Sequence, residues 1–278
     1  MLDVRLGLMA FVGALWTQGA FAQNLLDNPL DSGEDKPHAT LRLATETERL
    51  APGEAEIAVL FEIDRGWHLY WRNPGDTGLP PTIEFDLPEG VELAGEMRWP
   101  APKRYIHGGG RLLDYIYEKE LALLQPVRID SSLAGQTVSI EARGTWLVCR
   151  EACLPGEGAD RLTVEIAEDA GGGTDEAALI ERMRTRVPAS AEDLGVSASW
   201  DGLTLVVSAP GADRIEYLPL EPPIGGPSDL VSDGAGLGEE LRVGFDPRVR
   251  EAELVAGVVG VWEGGRTRYA TLRPGPPR

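Results

Sequence analysis

Apolar and polar residues alternate with a period of two along most of this chain, in short runs separated by Gly, Pro, Asn and Asp. "ATLRLATE" from Ala39 and "EAEIAVLFEID" from Glu54 open the pattern, and "GWHLYWRN" sets Trp67, Leu69 and Trp71 on one side. A residue pattern of this kind suits strands, whose successive side chains point to opposite faces. "NPGDTGLPP" is a long turn. "TIEFDLP", "VELAGEMRWP", a glycine-rich loop "YIHGGGRLLDY", "YEKELALLQPVRI", "QTVSIEARGTWLVC" and "DRLTVEIAE" follow. About nine short strands with turn signals between them and no helix-length pattern predict an antiparallel, immunoglobulin-like β-sandwich over residues 39–168.

"AGGGTDEAALIERMRTRVP" breaks the period. Gly171 to Gly173 reads as a hinge. Thr174 can cap a helix that has Asp175 and Glu176 at its positive end, Leu179, Met183 and Val187 on one face, and Pro188 as its stop. A linker over 169–194 with one amphipathic helix therefore joins two halves. "LTLVVSAP", "DRIEYLPL", "ELRVGFDP" and "ELVAGVVGVWEGGRTRYATLR" resume the strand pattern, the last forming a hairpin over Glu263 to Arg266. Residues 195–273 are thus expected to be a second, smaller β domain, with 274–278 a frayed tail. The fold class is all-β, and no residue-level repeat relates the halves.

The start of the chain changes the expected compartment. Arg5 precedes an apolar run from Leu6 to Trp16, and Ala20-Phe21-Ala22 has the small-x-small form of a signal-peptidase site. Residues 1–22 read as a secretion signal cleaved after Ala22, followed by a polar arm over 23–38. No later stretch is apolar enough to span a bilayer, so no stable membrane insertion is expected after cleavage. The chain of 278 residues carries 26 Lys and Arg against 45 Asp and Glu, a net charge of −19, which disfavours nucleic acid as a partner. Paired acids such as Glu239 and Glu240 have no site context and read as solvated surface.

Outside the cytoplasm, the chain's two cysteines, Cys149 and Cys153, would pair by default. Four residues of extended strand cover about 13 Å, whereas a disulfide needs Cα atoms within about 7 Å. The chain must therefore turn between them, at or beside a hairpin end. Closing so small a ring removes roughly 2 kcal/mol of unfolded-state entropy for about five residues, a weak return for a staple. A loop-borne bridge of this kind suits exchange with an incoming thiolate. Arg150 favours a neighbouring thiolate and Glu151 opposes it, so the attacking sulfur stays open. A structural bridge and a metal clip remain alternatives. The three histidines, His38, His68 and His107, are not spaced to complete a zinc site, but two thiolates suit monovalent copper. No cofactor is called for.

Other residues tempt less. His107-Gly108-Gly109-Gly110 has the look of an oxyanion loop, yet no G-x-S-x-G elbow accompanies it, so a mobile loop is the simpler account. Trp67, Tyr70 and Trp71 read as sandwich packing or as cover for the cysteine pair, and Trp146, on the strand entering Cys149, reads as core.

Several ordered motifs carry a resemblance. "GWHLYWRNPGDTGLPPTIEF" at 66–85, "RWPAPKRY" at 98–105, "DYIYE" at 114–118 and "GTWLVCREACLP" at 144–155 resemble the periplasmic amino-terminal domain of the DsbD thiol:disulfide reductases, closest to the ScsB branch. The resemblance covers about residues 40–167. It implies an immunoglobulin-like sandwich in which Cys149 and Cys153 are the catalytic, exchanging pair. Electrons would come from a membrane-embedded transporter of DsbD or CcdA type and pass to periplasmic thioredoxin-like or isomerase proteins. It also places a possible shielding loop over the disulfide, with Tyr105, His107, Tyr115 and Tyr117 as its candidate cover. The sequence departs from the full-length pattern in having neither a membrane segment nor a thioredoxin-like domain. Separately encoded partners are one expectation, a lost relay the other. The rival classes are a binding or assembly protein with a structural disulfide, and a copper-tolerance protein binding monovalent copper.

Overall fold

The computed structural model describes residues 37–221, 229–246 and 255–275. The expected signal peptide and nearly all of the arm after it lie outside the described residues. The first half contains β1 (Ala39–Ala44), β2 (Thr47–Leu50), β3 (Gly53–Ile63), β4 (His68–Gly75), β5 (Thr82–Asp86), β6 (Val91–Leu93), β7 (Lys103–His107), β8 (Leu112–Glu118), β9 (Glu120–Ile129), β10 (Gln136–Cys149), β11 (Cys153–Ile166) and β12 (Gly171–Gly173). Among the described residues they form two facing sheets, one ordered β1-β3-β9-β6 and the other β12-β2-β11-β10-β4-β8-β7, with β5 also on β10. Val138, Ile140, Ala142, Trp146 and Val148 alternate inward along β10 and meet Ile57, Val59 and Phe61 of β3 and Leu121 and Leu123 of β9 in one core.

Two strands break the alternation for a physical reason. β3 is buried from Ile57 through Phe61 and β9 from Leu121 through Gln125, because both faces of their sheet are covered. The cover is helix α1 (Ala177–Arg184), whose Ile180 and Met183 pack on Ala58, Leu60, Ala122 and Leu124. The expected linker helix is a third layer docked on the first sandwich. Arg184 fastens it through ion pairs to Glu46, Glu56 and Glu181 at 2.8, 2.7 and 2.6 Å. Thr174 does not cap the helix; its hydroxyl donates to the carbonyl of Thr45 at 2.6 Å, and Glu176 occupies the cap position. The glycine run expected as a hinge is β12, paired antiparallel with β2.

The second half contains β13 (Ala189–Ser190), β14 (Ser197–Asp201), β15 (Thr204–Ser208), β16 (Arg214–Pro219), α2 (Leu230–Asp233), β17 (Ala235–Leu237), β18 (Glu240–Gly244), β19 (Gly257–Glu263) and β20 (Arg266–Leu272). A sheet ordered β13-β20-β19-β16-β17 faces a smaller one, β14-β15-β18. The β19–β20 hairpin turns over Gly264 and Gly265, both at positive φ, as a two-residue turn requires. Leu205, Val207, Ile215, Tyr217, Val243 and Val261 make its own core. Leu218, Leu220, Ala256 and Val258 instead bury themselves in the core of the first sandwich.

Candidate functional site

The site is the far end of the β10–β11 hairpin. The two strands pair without interruption from Gln136 opposite Ile166 to Cys149 opposite Cys153. Arg150, Glu151 and Ala152 close the turn, with the Arg150 amide donating to the Ala152 carbonyl at 3.2 Å. Directly opposed strand residues lie close enough to bridge, and Cys149 and Cys153 do so with Cα atoms 4.1 Å apart and S–S 2.01 Å. β11 starts at Cys153 itself, several residues before the stretch expected as strand. Pro155 is tolerated there because β2 pairs β11 only at Glu165 and Ile166, leaving this part of β11 an edge.

The two sulfurs have unlike surroundings. Cys149 is 3% exposed and packs with Tyr70 and Ile116, bordered by Tyr105 and Leu147. Cys153 is exposed. The Tyr70 hydroxyl lies 3.8 Å from Cys153 Sγ and 3.4 Å from His68 Nε2. His68 sits opposite Cys149 in the β4–β10 register. Tyr70 is backed by Gly78, where any Cβ would run into the phenol ring. The Gly78 loop is itself pinned, since Thr77 donates to both oxygens of buried Asp114, from its amide at 2.9 Å and its hydroxyl at 2.5 Å. His107 Nε2 lies 2.9 Å from the same carboxylate. Tyr105 stacks on His107 with centroids 5.2 Å apart and stands 5.5 Å from His68. Beside this row, Trp67 stacks on His38 at 3.8 Å and carries the Arg150 guanidinium 5.1 Å from its ring centroid, which ties the disulfide turn to β4's approach. Burial lowers the pKa of His68 against the opposing pull of Asp114 and Glu118, and burial raises that of Tyr70.

Of the residues expected as a shield, Tyr105 and His107 stand on the cysteine side. Tyr115 and Tyr117 do not; both are core residues, Tyr115 edge-on to Trp71 and Tyr117 donating to the Pro100 carbonyl at 2.5 Å. The reason is strand parity: Leu113, Tyr115 and Tyr117 point inward, so Asp114 and Ile116 face the disulfide. The histidine-glycine stretch is the β7–β8 hairpin turn, with Gly108, Gly109 and Gly110 all at positive φ. Trp71 and Trp146 are core, whereas Tyr70 lies on the cysteine side, packed with Cys149 and with its hydroxyl 3.8 Å from Cys153 Sγ. Asp114, Thr77 and Ile116 carried no signal of their own; the parity of "DYIYE" was the available clue. Among the described residues no three or more His, Cys, Asp or Glu side chains are grouped to hold a metal ion.

Residues 41–165 match the family model described as thiol:disulfide interchange protein DsbD, N-terminal. Over this segment the chain is similar to a DsbD-type N-terminal domain. The N-terminal periplasmic domain of ScsB from Proteus mirabilis has a similar fold, with 19% identity and a TM-score of 0.54 over 88% of this chain and 96% of that one. A DUF4466-family protein from Parabacteroides merdae (7% identity, TM-score 0.24, 84% of this chain and 96% of that one) and the major pilin subunit BcpA of Bacillus cereus (10%, 0.27, 87% and 65%) also align. No curated protein matches the sequence. The similarity to DsbD-type N-terminal domains, together with the Cys149–Cys153 disulfide, supports a thiol:disulfide exchange module. No helix among the described residues is long and apolar enough to cross a membrane.

Proposed function

We propose that the protein is a periplasmic thiol:disulfide oxidoreductase of relay type, passing electrons between a membrane-embedded redox partner and periplasmic thioredoxin-like or isomerase proteins through Cys149 and Cys153. Residues 1–22 are its export signal, 39–168 the redox sandwich and 195–273 an accessory sandwich. The observation that carries the proposal is the asymmetry of the sulfurs, Cys153 exposed and Cys149 3% exposed. A donor thiolate attacks Cys153 Sγ, the bond to Cys149 breaks, and Cys149 leaves as a thiolate that takes up a proton. A second donor thiol then attacks the mixed disulfide and releases Cys153. The donor dithiol is oxidised and the pair reduced by two electrons and two protons. Running forward to an acceptor, the Cys153 thiolate attacks its disulfide, and Cys149, held one strand away, resolves the adduct intramolecularly.

The test is trapping. Cys149→Ala, which keeps Cys153, is expected to accumulate a mixed disulfide with an oxidised periplasmic isomerase, and Cys153→Ala to form far less. If neither variant forms an adduct, or if the wild-type disulfide equilibrates with glutathione only below about −300 mV, the bridge is structural and the proposal is wrong.

A further inference from the structure

The disulfide's walls are built on strands whose opposite faces rest on the second sandwich. β7 is the last strand of its sheet and pairs only with β8 among the described residues, from Lys103 opposite Ile116 to His107 opposite Leu112. An edge strand with a single partner opens readily unless something else holds it. Its alternation sends Tyr105 and His107 to the disulfide side and Arg104 to the other. There the Arg104 guanidinium reaches into the second half, donating to the main-chain carbonyl of Leu230 and lying 3.5 Å from that of Val231. Leu230 and Val231 themselves pack against the first core. Arg104 Nε is buried without a hydrogen-bond partner among the described residues, so the guanidinium bonds through Nη2 to the second half.

The second wall repeats the arrangement. Asn73, fully buried near the end of β4, donates from Nδ2 to the carbonyls of Pro219 at 2.7 Å and Glu221 at 3.0 Å. Its Oδ1 accepts from the Gly75 amide at 3.1 Å. The chain from Gly75 leads directly into the Thr77–Gly78 segment that backs Tyr70. Glu216 of β16, 8% exposed, belongs to the same buried junction: the charges of Arg214 and Arg104 both act to keep its carboxylate ionised against the burial that raises its pKa.

We propose that the second sandwich is a brace for the disulfide site, acting through Arg104 on the Tyr105 wall and through Asn73 on the Tyr70 wall, both as positioning residues. The brace sets how often the walls open to admit a thiolate. It gives the second half a role in exchange without contact with the sulfurs, and as a statement about reactivity it rests on the exchange function proposed above.

The experiment uses the full chain as Arg104→Ala, Arg104→Lys and Asn73→Ala, with Val207→Ala in the second core as a control of comparable instability. Two quantities are read: the rate at which dithiothreitol reduces the disulfide, and hydrogen exchange of the 103–107 and 112–116 amides. Arg104→Ala is expected to speed reduction about tenfold, the size of one charge-assisted hydrogen bond lost from the closed state. The 103–107 amides should lose protection while those of 257–272 keep theirs. Arg104→Lys should recover part of the effect, and Val207→Ala should show none. The brace is overturned if Arg104 and Asn73 variants leave both readouts unchanged, or change them no more than Val207→Ala does. If Arg104→Ala does not fold, Asn73→Ala and Arg104→Lys decide by the same readouts. A wild-type disulfide inert to thiols sinks the exchange function alone, since protection of 103–107 still reports on the brace.

Discussion

At the scale of single residues, the chemistry rests on what surrounds Cys153. In the reduced protein, the Tyr70 hydroxyl, 3.8 Å from Cys153 Sγ, is placed to donate to the thiolate. Hydrogen bonds to charged groups contribute about 1.5–3 kcal/mol, and exposure of this sulfur cuts that to about 1 kcal/mol, under one pKa unit. Tyr70→Phe is therefore expected to raise the Cys153 thiol pKa by up to about one unit. The pH profile of iodoacetamide alkylation in a Cys149→Ala background measures it, and an unmoved profile would reduce Tyr70 to packing. His68 gives a pH signature. Burial holds its pKa below the ordinary 6.5, with Asp114 and Glu118 pulling upward and His107 and Lys103 adding to the fall. The unfolded chain then binds the proton more readily than the fold. The stabilisation is full above 6.5 and lost as pH falls from there through the folded value. Glu216, whose pKa is raised above 4.5 by burial, acts in the opposite sense, contributing at low pH and losing its contribution as pH rises through the raised value. His68→Phe should flatten the acid-side fall in the urea midpoint between pH 7 and 5, and a difference curve without slope there would remove His68 from the account. The cysteine pair and its turn were legible from spacing alone. Tyr70 stood between packing and cover for the pair, because alternation fixes which residues share a face but not whether that face meets the core or the disulfide.

At the scale of elements, the strands were the legible part, and their departures trace to tertiary contacts. The alternation expected of "EAEIAVLFEID" gives way in the structure to continuous buried runs in β3 and β9, which are what a sheet covered on both faces needs. The helix pattern was visible, with Leu179, Met183 and Val187 on one side, but its partner was not, because an amphipathic stripe says only that something covers it. The structure supplies the partner: Met183, 4% exposed, packs over the outer face of β3 and β9. Met183→Ala is expected to cost about 2–5 kcal/mol, as a truncation inside a closed layer rather than on a linker. A urea titration reads this directly, and a cost below about 0.5 kcal/mol would mean a helix lying loosely on solvent. The glycine run before it shows why composition misled: glycine in series suggests freedom, but Gly171 and Gly173 pair with Arg49 and Thr47.

At the scale of the whole molecule, the two sandwiches are not beads on a string. Their strands were separable in the sequence because a linker pattern lay between them, whereas the surface joining them is set by parity within β16. Ile215 and Tyr217 turn into the second core and Leu218 into the first, so one strand serves both. Leu220, Ala256 and Val258 extend the joint, and Asn73 and Arg104 bond across it. Elements that share buried apolar surface unfold together when breaking the joint exposes more than either part can spare. A single transition is therefore expected in urea, with the fluorescence of Trp67, Trp71 and Trp146 in the first half coinciding with that of Trp200 and Trp262 in the second. Leu218→Ala, at a position with 0% exposure, should lower that common midpoint, at a cost of about 2–4 kcal/mol in unfolding free energy. Its effect on the two halves discriminates: a truly shared core loses stability on both sets of tryptophans equally, whereas independent domains would show the first set moving alone. Two separated transitions in the wild-type chain would dissolve the joint, and with it the mechanical route by which the second sandwich reaches the disulfide.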